Sequence, residues 1–118
     1  MLELCTLASG SSGNSLLVTD GRTHVLVDAG ISCRRICRSL RDLGVDPSAL
    51  SGVLVTHEHT DHIAGLATLT KQLGVPVYAT APTLDRLERK VPALAQLGRA
   101  LEAGTGFQLG ELWVESFS

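Results

Sequence analysis

Three of the four histidines in this 118-residue chain fall within six residues, His57-Glu58-His59-Thr60-Asp61-His62. Imidazole and carboxylate donors together suit zinc and similar transition ions. In an extended segment alternate side chains point the same way, so His57 and His59 can reach one ion together. Asp61 and His62 lie past the bend and can face a second point nearby. Two ions a few ångströms apart can activate a water between them and hold a leaving oxygen. Glu58 and Thr60 alternate with these residues and are expected to point away. A merely polar, exposed loop is the competing reading. A lone His would favour it, but three His and one Asp at this spacing favour metal binding.

The elements around the motif must aim it. Gly52 to Thr56 (GVLVT) is a short apolar run, expected as a strand buried on both faces and delivering His57 at its end. Ile63, Leu66, Leu69 and Leu73 recur at helical spacing up to Gly74. Upstream, Leu2–Ala8, Ser15–Thr19 and Thr23–Val27 read as strands. The turn Ser9–Asn14 separates the first two, and a tight primed turn at Asp20-Gly21 separates the others. Asp28-Ala29-Gly30 breaks the third strand. A helix follows from the N-cap Ser32, with Ile36, Leu40 and Leu43 on its apolar face and Gly44 as a left-handed close. Asp46-Pro47 starts one more short turn. Downstream, Val75–Tyr78 reads as a strand and Thr80-Ala81-Pro82 as the start of a helix reaching Lys90. Val91–Ala103 shows no clear period beyond a helical turn after Pro92. Phe107–Leu109 and Leu112–Phe117 read as strands around Gly110, with Trp113 and Phe117 expected in the core. The order is that of a single mixed α/β unit.

Composition narrows the class. Hydrophobic residues make up 44%, charged residues 19% and aromatics 3%, which excludes a disordered tail, a collagen-like repeat and a coiled coil. No apolar run approaches the length of a membrane span. The opening MLELCTLASGSSG has no basic n-region and no long apolar h-region, so no signal peptide is expected. The net charge of -2 argues against a wholly basic nucleic-acid-binding domain. Cys5, Cys33 and Cys37 are an odd set that fits a reducing cytoplasm. Cys33 and Cys37, four apart, read as a half-buried helix face rather than a metal or redox pair.

His57-x-His59-x-Asp61-His62 resembles the signature of the metallo-β-lactamase fold superfamily. Leu26-Val27-Asp28-Ala29-Gly30 resembles its preceding strand-end motif, and Val53-Leu54-Val55-Thr56 its lead into the histidines. Leu7-Ala8-Ser9-Gly10-Ser11-Ser12-Gly13-Asn14-Ser15 is similar to the start of the YycJ/WalJ-type members, which are exonuclease-like, cytoplasmic metallohydrolases acting on DNA.

The resemblance implies an α/β, metallo-β-lactamase-like αββα sandwich, of which residues 1–118 supply about the N-terminal half of a single domain. It implies two divalent metal ions, zinc with manganese as the alternative. His57 and His59 would hold the first, and Asp61 and His62 the second. Asp61 would also hold the attacking hydroxide, as the catalytic residue. Asp28 would orient a ligand from beneath the site, or else serve only as a strand-end turn former.

The implied activity is a DNA exonuclease-type phosphodiesterase, with DNA ends as substrate and no membrane partner. Two alternatives are an ester, thioester or lactone hydrolase of the same fold, and a catalytically incomplete metal-binding fragment that oligomerises through exposed sheet surface. Residues 1–118 do not hold the later histidines and bridging aspartate that the resemblance implies, and His24, the remaining histidine, reads as a plain surface residue. Ser11, Ser12, Gly13 and Asn14 are candidate phosphate binders through their backbone, or simply a hairpin turn. Arg34, Arg38 and Arg41 share one helix face, as a phosphate-contacting stripe or as a solvated surface.

Overall fold

The computed structural model describes residues 2–10, 13–57, 63–102, 106–109 and 112–115. Six strands form one sheet in chain order: β1 (Glu3–Ala8), β2 (Ser15–Thr19), β3 (His24–Val27), β4 (Leu50–Leu54), β5 (Val77–Thr80) and β6 (Gly98–Leu101). The first three pair antiparallel, and β3 to β6 pair parallel. Parallel neighbours need crossovers, and helices supply them. These are α1 (Cys33–Asp42), α2 (Leu66–Leu73), and α3 (Ala81–Lys90) followed by α4 (Leu94–Leu97). Strands β7 (Gly106–Leu109) and β8 (Leu112–Glu115) make a separate hairpin.

The helices cover one face of the sheet. Leu17, Leu26, Val53 and Val77 meet Ile36, Leu40, Leu66, Leu69 and Leu87 there in one continuous core. Leu4, Val18, Val25, Leu54 and Tyr78 share the opposite face by register. Leu112 of the hairpin packs on that face against Val25. The α/β expectation is met, and no described helix is long and apolar enough to cross a membrane.

Local signals explain most boundaries. Ser32 caps α1 by accepting from the Arg35 N–H. Gly44 and Gly74 take positive φ just past α1 and α2. Asp46 caps a 3-10 turn at Pro47–Ala49, its side chain accepting from the Ser48 N–H.

Other expectations are corrected. The β2–β3 turn is not a two-residue primed turn, since Thr19 pairs with His24 and residues 20–23 form the loop. Asp20 closes it by accepting from the Arg22 and Thr23 N–H groups. Donation from Thr23, then Arg22, holds its carboxyl below the ordinary value. Strand β4 begins at Leu50, not Gly52, and ends at Leu54, so Thr56 lies beyond it. Strand β6 falls in the stretch with no visible period. Its sequence GRAL buries no side chain fully, because it is an edge strand with little apolar pattern to read. Leu43 is exposed at the α1 C-cap rather than on its apolar face. Trp113 is 64% exposed, not core, its ring lying along Gly106 of the paired strand. Phe117 lies outside the described residues. Cys33 and Cys37 are buried rather than half-buried, with their sulfurs 3.9 Å apart. Burial, then the neighbouring Cys37, pushes the Cys33 thiol up to about 11, which opposes a reactive thiolate.

Candidate metal centre

Strands β3 and β4 are parallel neighbours in register, Val27 beside Leu54, and both point their carboxyl ends the same way. The groove outside such ends is where open α/β sheets place ligands. Asp28 is the first residue past β3, and its N–H extends the ladder to the Leu54 carbonyl at 2.7 Å. Thr56 and His57 follow closely after the end of β4 at Leu54. Asp28 is therefore brought to Thr56 and His57 by strand pairing, not by sequence proximity.

Asp28 is 6% exposed and has φ 62°, the one positive value among the described non-glycine residues. Asp tolerates this left-handed conformation better than most residues, at a cost of roughly 1–3 kcal/mol. Its hydrogen bonds offset that cost. Oδ1 accepts from the Thr56 N–H at 2.8 Å and Oδ2 from the Thr56 hydroxyl at 2.6 Å. The Ser15 hydroxyl donates to the Asp28 carbonyl at 2.8 Å. On the far side of Thr56, its Oγ1 lies 3.0 Å from His57 Nδ1. His57 itself is exposed at the mouth.

Glycines let the backbone close up behind this group. Ala29 and Gly30 are buried, with the Gly30 N–H bonded to the Asn14 carbonyl and the Gly65 N–H to the Ala29 carbonyl, both at 2.8 Å. A Cβ on Gly13 would lie 2.5 Å from the Gly30 oxygen. A Cβ on Gly65 would run into the Ile31 carbonyl and lie 2.9 Å from the Cys33 nitrogen. Segment 28–31 is thus held between the 13–14 corner and the approach to α2.

His57 is the one proposed ligand that the structure describes; His59, Asp61 and His62 lie outside the described residues, as do Ser11 and Ser12. Among the described residues no three His, Cys, Asp or Glu side chains gather as a metal cluster. The described part fits a metal in its chemistry: an exposed imidazole with one ring nitrogen engaged from behind, and a buried carboxylate behind that.

Gly13 and Asn14 brace their own loop. The Gly13 N–H donates to the Gly10 carbonyl at 3.3 Å, and the Asn14 side chain bonds both the Gly10 N–H and carbonyl. Arg34, Arg38 and Arg41 are all exposed on α1. That helix runs back from the strand ends, so Arg41 sits about 10 Å farther along it than Arg34. His24 lies at the opposite end of β3 from Asp28, with Nδ1 2.7 Å from Thr19 Oγ1. Thr56 was not among the sequence candidates. A threonine before a histidine is unremarked until strand pairing sets it beside Asp28.

The pattern of the Metallo-beta-lactamase superfamily matches residues 8–112. The chain belongs to the metallo-β-lactamase superfamily. Exodeoxyribonuclease WalJ of Streptococcus pneumoniae serotype 2 is 36% identical over 118 residues, covering 94% of this chain and 42% of that protein. Exodeoxyribonuclease YycJ of Bacillus anthracis is 36% identical over 117 residues, covering 98% of this chain and 44% of that protein. Among solved structures, metallo-beta-lactamase SMB-1 in a complex with mercaptoacetic acid superposes with a TM-score of 0.77 at 26% identity. That match covers 91% of this chain and 47% of the lactamase. This superfamily chain spans less than half the length of these relatives. Superfamily membership implies divalent metal ions.

Proposed function

We propose that the full-length protein is a metal-dependent phosphodiesterase of the exonuclease type, acting on DNA ends, with residues 1–118 forming the N-terminal part of a single domain. The observation that carries this reading is the Asp28–Thr56 brace, which sets His57, the first residue of the His57–His62 motif, at the open ends of two parallel strands. The choice of DNA is supported by the names of the two exodeoxyribonucleases that match nearly the whole chain. His57 and His59 would hold one ion, and Asp61 and His62 the other, zinc being the natural partner of such donors and manganese the alternative. Bound there, the pair would supply charge stabilisation for a phosphodiester and acidify a water. The chain's own contribution is to fix the imidazoles against a buried carboxylate. The cytoplasm is the proposed location.

The test is hydrolysis by the full-length protein. Linear duplex should be degraded and covalently closed circular DNA spared. A chelator should stop the reaction, and zinc or manganese should restore it. Cleavage of an ester, thioester or lactone with linear DNA left intact would move the activity to another substrate class.

The arginines of α1 give a separate expectation. Replacing Arg34, Arg38 and Arg41 by Gln should weaken DNA binding and flatten its salt dependence, with Arg34, nearest the strand ends, accounting for most of the change. For every phosphate that an arginine no longer neutralises, the slope of log affinity against log salt should become shallower by about 0.9. A slope unchanged within error would make the stripe an ordinary solvated face.

A further inference from the structure

The Thr56 hydroxyl has one proton and two close neighbours, Asp28 Oδ2 at 2.6 Å and His57 Nδ1 at 3.0 Å. A carboxylate only accepts hydrogen bonds. Were the hydroxyl proton turned towards His57, two oxygens would face each other across 2.6 Å with no proton between them, in a nearly buried place. The proton therefore belongs to the Asp28 bond. The hydroxyl is left with lone pairs towards the ring, so Nδ1 must be the donor. In a neutral imidazole one nitrogen carries the proton and the other the electron pair.

We propose that Thr56 is a positioning residue that relays the Asp28 anion to the His57 ring, fixing the Nδ1–H tautomer and leaving Nε2 as the electron-pair donor. The relay has a fixed direction because its first member is immobile. Both Asp28 oxygens are tied to Thr56, one through the backbone N–H and one through the hydroxyl, so the threonine side chain cannot turn away without breaking a bond to a buried carboxylate. His57 is exposed, with Nδ1 on the side that faces this hydroxyl. The tautomer rests on the Thr56 hydrogen bonds; its use in metal binding rests on His57 being a ligand, as proposed above.

Two measurements test this. The first is nitrogen NMR of histidine-labelled, metal-free protein at alkaline pH, where the rings are neutral, with the His57 signals assigned by a His57→Gln variant. Wild type and Thr56→Ser should show a protonated Nδ1 and an unprotonated Nε2. Thr56→Val should show the Nε2–H form that free histidine favours. An Nε2–H ring in the wild type would overturn the relay, and that result needs no variant to fold. An unchanged spectrum in a folded Thr56→Val protein would overturn it as well. The second is zinc affinity of the full-length protein by competition with a chromophoric chelator. Thr56→Val should weaken binding about 10–100-fold, with Thr56→Ser close to wild type. A shifted tautomer with unchanged zinc affinity upholds the relay and overturns the assignment of His57 as a ligand.

Discussion

Replacing Asp61 by Asn in the full-length protein is expected to abolish hydrolysis of linear DNA while the fold survives. Asn keeps the size of the side chain but loses its charge, so it is a poor ligand for a hard-to-intermediate divalent ion. It also lacks the negative charge needed to hold a proton-bearing nucleophile in place. Loss of a direct ligand should exceed the 10–100-fold penalty that follows loss of an outer hydrogen-bond partner. His59→Ala should fall as far, by removing one of the two imidazoles proposed for the same ion. Both side chains are polar, and the continuous core is built from apolar residues. Thermal unfolding of the metal-free proteins should therefore nearly coincide with wild type. Undiminished turnover by Asp61→Asn in metal-replete buffer would remove this residue from the site.

The largest stability loss is expected at a position with no chemistry. Gly65→Ala would drive a methyl group into the Ile31 carbonyl, with the Cys33 nitrogen at 2.9 Å and the Ser32 carbonyl carbon at 3.1 Å. All three obstacles are backbone, so no side chain can swing aside. Overpacking of a core side chain typically costs 1–3 kcal/mol, and a clash with backbone on this scale should cost about 3 kcal/mol or more. Gly74→Ala is the control. Its φ is 61°, but a Cβ there meets nothing within 4 Å, so the cost should be only the left-handed penalty of about 1 kcal/mol. Urea unfolding of the two variants separates the cases, and equal losses would show that close approach is not what makes Gly65 necessary.

The strands and helices were largely legible because their signals are local. Turn residues on either side marked out β2 and β3, and a serine cap and trailing glycine bounded α1. What escaped depends on partners that a pattern does not name. Strand β6 exists because β5 offers an open edge: its residues pair Gly98 with Val77 through to Leu101 with Thr80 and carry no apolar alternation of their own. Trp113 has the side chain of a core residue, yet it is left exposed along Gly106, and burial depends on neighbours that a pattern does not name. The four-residue loop at 20–23 was hidden because Asp20-Gly21 serves equally as a primed turn and as an Asx brace. At the site, residue type and spacing pointed the histidine motif to metal chemistry, and of its four proposed ligands the structure describes His57. Asp28 was visible only as one of two readings, and its burial beneath Thr56 favours the orienting role. The part played by Thr56 became visible only when β3 and β4 were placed side by side.

That pairing has a kinetic face. Asp28 and Thr56 are 28 residues apart, and every group in the brace comes from the first 57 residues. Closing so short a loop costs little entropy, and the cost rises only slowly with length. The seat for the imidazoles can therefore form from early-synthesised chain, before anything downstream of the motif is available. Its lifetime should match that of the sheet. In native-state hydrogen exchange the Thr56 amide, although it lies past the end of β4 on an exposed residue, should keep its proton about as long as the amides of Val53 and Val55, which bond to the carbonyls of Pro76 and Tyr78. Rapid exchange at Thr56 would show a brace that opens independently of the strands that carry it.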